Sequence, residues 1–191
     1  MGKKVGMTPS EARPATSVVD RWLSIAAAIG ALCAVAISLY QAALSREQQR
    51  ASAWPYLAQS NSYVPAQPYT RDVANEGVGP ARIRSFEVLV DGRPVRSWSA
   101  AVRTLTGKTD SGLVYSSLRR GSVLPPGSSR TLLRIPPGEQ ARAFWEAAQS
   151  RLETVICYCS IYDECWVGDT RTAEPAAVRT CTADTTAAFA Q

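Results

Sequence analysis

The chain has 191 residues, with 21 Lys and Arg against 16 Asp and Glu, a formal net charge of +5 and no histidine. Without an imidazole, Ser-His-Asp triads, Cys-His nucleophile pairs and histidine-containing zinc sites are excluded. Beyond residue 44, 17 Lys and Arg face 14 Asp and Glu, scattered rather than clustered, so no nucleic-acid surface is expected.

Residues 1–21 form a short polar stub that carries Lys3, Lys4, Arg13 and Arg21 and is expected to lack regular structure. The uncharged run Trp22–Ser45 follows. As a helix its roughly 24 residues rise about 35 Å, enough to cross a hydrocarbon core with some tilt. Trp22 and Tyr40 lie near its two ends, where amphipathic rings suit lipid–water interfaces. Residues 22–44 are therefore expected to span a bilayer. A cleaved signal sequence has an apolar region of about 7–15 residues and a small-residue cleavage site. This run is longer, although Gln41-Ala42-Ala43 gives it an Ala-rich end, so retention as a signal-anchor is expected.

The four basic residues before the span outnumber Arg46 and Arg50 just after it. That bias places the N-terminus in the cytoplasm and the rest outside, which in a bacterium means the periplasm beyond the inner membrane. Ala26, Gly30, Ala34 and Ser38 recur every four residues and share one helix face, a spacing that allows close helix pairing and a homodimer. Cys33, mid-span behind Leu32, reads as an apolar side chain.

Residues 45–53 can continue the helix as a juxtamembrane linker until Pro55 stops it. A β domain is expected over 54–170, with a Thr/Ala-rich tail at 171–191. Its strands read as Trp54–Ser60, Tyr69–Asn75 and Arg82–Val90, the last placing Phe86, Val88 and Val90 on one face. Asp91-Gly92 is a type I′ hairpin signal that returns the chain through Arg93–Arg96. Ser97 caps a helix with Trp98, Ala101, Val102 and Leu105 on one stripe, and Gly107 ends it. Gly107-Lys108-Thr109 lacks the upstream glycine of a phosphate loop, Val102 standing in its place, and reads as a turn.

Leu113–Leu118 and Ser129–Ile135 are further strands, joined by the turn Leu124-Pro125-Pro126-Gly127. Pro136-Pro137 opens a second helix whose stripe is Ala141, Phe144, Trp145, Ala148 and Leu152. Thr154–Ile161 and Cys165–Val167 form a hairpin around Tyr162-Asp163-Glu164, and Val178–Thr182 is a last strand in the tail. About seven short strands with turn punctuation point to a mainly β fold: an immunoglobulin-like β-sandwich with two inserted helices, or alternatively an α+β sheet covered by the helices on one face.

Four cysteines follow the span: Cys157, Cys159, Cys165 and Cys181. In an oxidising compartment they imply two disulfides. Cys157 and Cys159 lie two apart on one strand, about 7 Å between Cα atoms, the limit for a bridge. A three-residue hairpin loop puts Cys165 opposite Ile161 and diagonal to Cys159. The favoured pairing is Cys159–Cys165 with Cys157–Cys181, and Cys157–Cys165 with Cys159–Cys181 stays open. Thiol–disulfide exchange usually uses Cys-x-x-Cys at a helix N-terminus, unlike Cys157-Tyr158-Cys159 on a strand. The intervals also lack the paired knuckles of a four-cysteine zinc site.

Arg82 and Arg84, with Arg93 and Arg96 across the hairpin, form a basic patch that suits an anionic headgroup or a solvated sheet edge. Asp163 and Glu164 read as solvated turn charges rather than an acid–base pair.

The segments Trp54–Leu57, Asn75–Ala81, Leu124–Gly127 and Cys157–Trp166 occur in that order after the membrane span. In this the chain resembles a family of small bacterial single-pass membrane proteins with a periplasmic, cysteine-containing β domain. The resemblance covers about residues 20–170; it implies the architecture and brings no site residues. The expected role is a non-catalytic envelope binding or structural module with a protein partner and no cofactor, metal or catalytic residue. Tyr162, Asp163, Glu164 and Trp166 are the candidate contact residues. The alternative is a periplasmic thiol-disulfide redox protein or weak hydrolase; a Ser–Lys hydrolase would have to use the lone outer lysine, Lys108.

Overall fold

The structure, a computed structural model, describes residues 18–108, 112–116, 118–172, 174–182 and 189. The expected unstructured stub therefore lies, up to residue 17, outside the described residues, as do Thr109, Ser117 and much of the tail. The chain divides into two units, Met1–Glu47 and Gln48–Gln191.

Helix α1 runs over Val18–Ala51, 34 residues that include the whole uncharged run. It is long and apolar enough to cross a membrane and buries none of its residues against the protein. A helix of this kind serves as a membrane anchor or as a signal sequence. Two of its serine hydroxyls bond within it: Ser24 Oγ donates to Asp20 O and Ser38 Oγ to Ala34 O, both at 2.8 Å. The helix ends in a turn at Ser52 and Ala53, just ahead of Pro55, which has no amide hydrogen to extend it.

The second unit is sheet-rich, with two antiparallel sheets and two short helices. One sheet has the order β1 (Leu57–Ser62), β2 (Tyr69–Asn75), β7 (Ser129–Ile135), β5 (Val114–Tyr115). The other runs β10 (Ala176–Val178), β9 (Cys165–Asp169), β8 (Leu152–Cys159), β3 (Ala81–Val90), β4 (Arg93–Val95), with β6 (Val123–Leu124) also on β3. Ten strands are thus formed among the described residues rather than about seven, because two- and three-residue strands extend the sheet edges. A single buried cluster joins both sheets to the helices, with Tyr69, Val73 and Leu133 from one sheet, Ile83, Val88 and Ile156 from the other, and Trp98 and Phe144 from the helices.

Helix α2 (Trp98–Thr106) follows its sequence signals closely. Ser97 Oγ accepts from Ala100 N at 3.1 Å, Gly107 ends it at φ +68°, and Trp98, Ala101, Val102 and Leu105 are its buried residues. Asp91 and Gly92, at φ +52° and +74°, form the expected left-handed pair between β3 and β4. Arg151 forks onto Asp91 at 2.9 and 2.7 Å and holds its carboxyl below the usual range.

Several boundaries differ from expectation; the strand expected over Leu113–Leu118 is only Val114–Tyr115 among the described residues, and the hairpin strands are Leu152–Cys159 and Cys165–Asp169. The first strand begins at Leu57, not Trp54, because the backbone before it serves the Glu76–Pro80 loop. Trp54 O accepts from Val78 N and Gly79 N, and Tyr56 O from Glu76 N. Gly79 is needed there: a Cβ on it would lie 2.0 Å from Ala53 O. Helix α3 covers Glu139–Arg151, so Leu152 leaves the predicted helical stripe and opens β8. The last strand is Ala176–Val178, after which the chain delivers Cys181 to Cys157.

Buried Asn75 organises the loops at one end of the sheets. Its Nδ2 donates to Gly79 O at 2.8 Å and Leu124 O at 2.9 Å, while Oδ1 accepts from Gly77 N at 3.1 Å and Tyr56 N at 3.2 Å. Every hydrogen-bonding position of the amide is used.

Candidate functional site

The β8–β9 hairpin carries the residues singled out from sequence. Its loop, Ser160–Glu164, has five residues rather than three. Ser160 N donates to Glu164 O at 2.8 Å, Tyr162 N to Ser160 Oγ at 3.1 Å, and Asp163 takes φ +59°. The longer loop moves the register: Cys159 pairs directly with Cys165, and Ile161 lies in the loop. The diagonal relation inferred from a three-residue turn is corrected accordingly.

Cys159 is bonded to Cys165 and Cys157 to Cys181. The two bridges are neighbours, with Cys159 Sγ 3.8 Å from Cys181 Sγ. The sulfurs of Cys159, Cys165 and Cys181 all lie within 4.8 Å of one another. In disulfides none of them is a thiolate, the form a metal requires. A cleft of about 300 Å³ beside the bridges is lined by Arg84, Arg120 and Arg179 as well as Asp163.

At the hairpin tip Tyr162 and Ile161 are exposed, 43% and 49% respectively. Asp163 Oδ1 accepts from Arg84 at 2.9 Å and also from Arg82, so its charge is already engaged. With the carboxylate side chain 72% exposed, such pairs contribute at most about 1 kcal/mol each. Trp166 is not at the tip. It stands on β9 opposite Tyr158, ring centroids 6.0 Å apart, and packs against the core. Of the four candidate contact residues, Tyr162, Asp163 and Glu164 lie in the hairpin loop and Trp166 does not.

The four-arginine patch also divides. Arg82 lies in the β3 segment beside β6 and Cys159, whereas Arg93 pairs with Val90 at the other end of the strand. Eight residues of strand separate the two, about 26 Å. Ala26, Gly30, Ala34 and Ser38 are exposed on α1, as is the free thiol of Cys33.

Sequence reasoning missed Arg71. It alternates with Tyr69, Val73 and Asn75 on the buried face of β2 and is only 4% exposed. Its NH2 donates to Thr154 Oγ1 at 2.8 Å, across to the other sheet. A charged residue within an apolar alternation is the signal that could have revealed it.

Compared with known proteins, the chain matches no family model and no curated relative.

Proposed function

We propose that this protein is a membrane-anchored, non-catalytic binding or structural module of the bacterial envelope, held by residues 22–44 with its head in the periplasm. The β head is read as an immunoglobulin-like sandwich of the two sheets. The observation that carries this reading is the coupling of a membrane-length apolar helix to a head whose four cysteines are all in disulfides. Such bridges persist in oxidising compartments and are rare in the cytosol. The basic bias before the helix and the resemblance to single-pass periplasmic proteins support the same orientation. An envelope protein partner would meet the tip at Tyr162, Asp163 and Glu164, on a loop pre-ordered by its own hydrogen bonds and an adjoining bridge.

The test is alkylation of thiols in intact bacteria, before and after reduction, followed by carbonate extraction of membranes. The expected result is a protein that stays with the membrane and in which only Cys33 reacts before reduction. Free thiols at Cys157, Cys159, Cys165 and Cys181, or release into the soluble fraction, would overturn it.

A second reading, thiol–disulfide exchange, draws on the 3.8 Å approach of sulfurs from different bridges and the three arginines lining the adjacent cleft. A reduction potential of about −120 to −200 mV would favour exchange, whereas a value below about −300 mV marks structural bridges.

A further inference from the structure

Two clefts adjoin along the free edge of β1. The larger, about 600 Å³, is lined by Gln59, Asn61, Arg71, Ser150, Thr170 and Arg171 among others. No residue described in its lining is acidic. The smaller, about 210 Å³, is lined by Trp54, Tyr56, Tyr158 and Trp166 with Glu174 and Pro175. Tyr56 and Pro175 belong to both, so the two form one groove with an aromatic end and a cationic end.

The cationic end is unusual in its charge. Arg71 is buried, yet among the described residues no carboxylate forms an ion pair with it, and its Nε has no hydrogen-bond partner. The groups it acts on directly are neutral: Thr154 Oγ1 at 2.8 Å and the buried phenol of Tyr69, which the Asp72 carboxylate also influences. Removing a guanidinium from water without a counter-charge is costly unless something anionic compensates it. Arg171 adds a second cation to the lining, partly engaged with Glu153 at 2.7 Å.

We propose that this groove binds an acidic oligosaccharide, a sugar's carboxylate lying at Arg71 and Arg171 and a neighbouring ring stacking at Trp54 and Tyr56. Arginine pairs with planar carboxylates through parallel hydrogen bonds, which fits the cationic end. The amides and hydroxyls of Gln59, Asn61, Ser150 and Thr170 suit a polyhydroxylated ligand rather than an apolar one. The rings of Trp54 and Tyr56, 5.4 Å apart, offer flat apolar faces to the C–H side of a sugar. This deepens the binding-module reading and names its ligand class, but it does not rest on membrane topology.

The test is titration of the full chain in detergent micelles with tetragalacturonate, maltotetraose and tetraglutamate, followed by calorimetry and tryptophan fluorescence. Saturable binding of tetragalacturonate is expected, with no binding of neutral maltotetraose. Arg71→Gln should weaken it at least about tenfold, the loss of roughly one charge-assisted hydrogen bond. Because Arg71 is buried, Arg171→Gln and Trp54→Ala, at exposed side chains, provide the same comparison in a folded head. No binding of tetragalacturonate at millimolar concentration, equal binding of maltotetraose, preference for tetraglutamate, or indifference to all three substitutions would each overturn the proposal. None of these outcomes depends on where the head resides, so failure here and failure of the envelope reading are separable.

Discussion

Cys159 and Cys165 face each other directly across the β8–β9 ladder, their Cα atoms 4.0 Å apart. This bridge closes a local hairpin that the ladder already orders. The neighbouring bridge, Cys157–Cys181, does something different: it fixes the segment after β10 to the sheet across a separation of 24 residues.

Removing the two bridges should therefore have unequal effects. Replacing Cys157 and Cys181 with Ala should cost about 3 kcal/mol, and replacing Cys159 and Cys165, six residues apart, about 2 kcal/mol, on the loop-entropy scale. Urea denaturation of both pair variants measures the order. Protease sensitivity confined to residues beyond Val178 is expected only for the first.

Asn75→Ala should be among the more damaging polar substitutions in the head. It leaves two buried carbonyls and two amides without their partner, a loss of about 3 kcal/mol. Asn75→Asp retains the acceptor but not the donors and places negative charge against Gly79 O and Leu124 O. It should be no better. Thermal unfolding of both variants checks this.

Gly77→Ala and Gly79→Ala test backbone contact rather than chain flexibility. The added methyl would lie 2.3 Å from Tyr56 N or 2.0 Å from Ala53 O, and backbone cannot step aside as a side chain can. Each should cost about 3 kcal/mol or more, at the upper end of single substitutions. Gly30→Ala, inside α1, meets no atom within 4 Å and should not destabilise the protein.

Glu153 gives a pH dependence with a definite sign. Burial, then the charge of Asp169, raises its carboxyl above the ordinary 4.5, while Arg171 opposes the rise. The folded head thus retains this proton to higher pH than the unfolded chain. Stability from this group falls as pH rises from about 4.5 through the folded value. Glu153→Gln should match the wild type below pH 4 and gain on it as pH approaches 7. A gap that narrows over that range would contradict the assignment.

Local signals were legible where chemistry and geometry are local. Ser97 and Gly107 bracket α2 because a cap and a left-handed glycine act within a few residues. Asp91-Gly92 marked its turn for the same reason. The β8–β9 register was not legible, since Ser160 and Glu164 close the loop by a backbone bond that any residues could make. Arg71 was hidden because its inward direction depends on β2 being covered by Thr154 of the other sheet. The groove was less legible still: Trp54 and Trp166 line one cleft from positions far apart in the chain, and only tertiary packing sets that cleft beside the one Arg71 lines.

The most direct measurement of the central claim is protease access to the two sides of the membrane, using the full chain with an N-terminal tag expressed in a Gram-negative bacterium. Protease added to spheroplasts should degrade the head beyond residue 54 while the tag remains protected. A head that survives until the membrane is opened, or is found in the soluble fraction, would contradict the placement of this domain outside the cytoplasm.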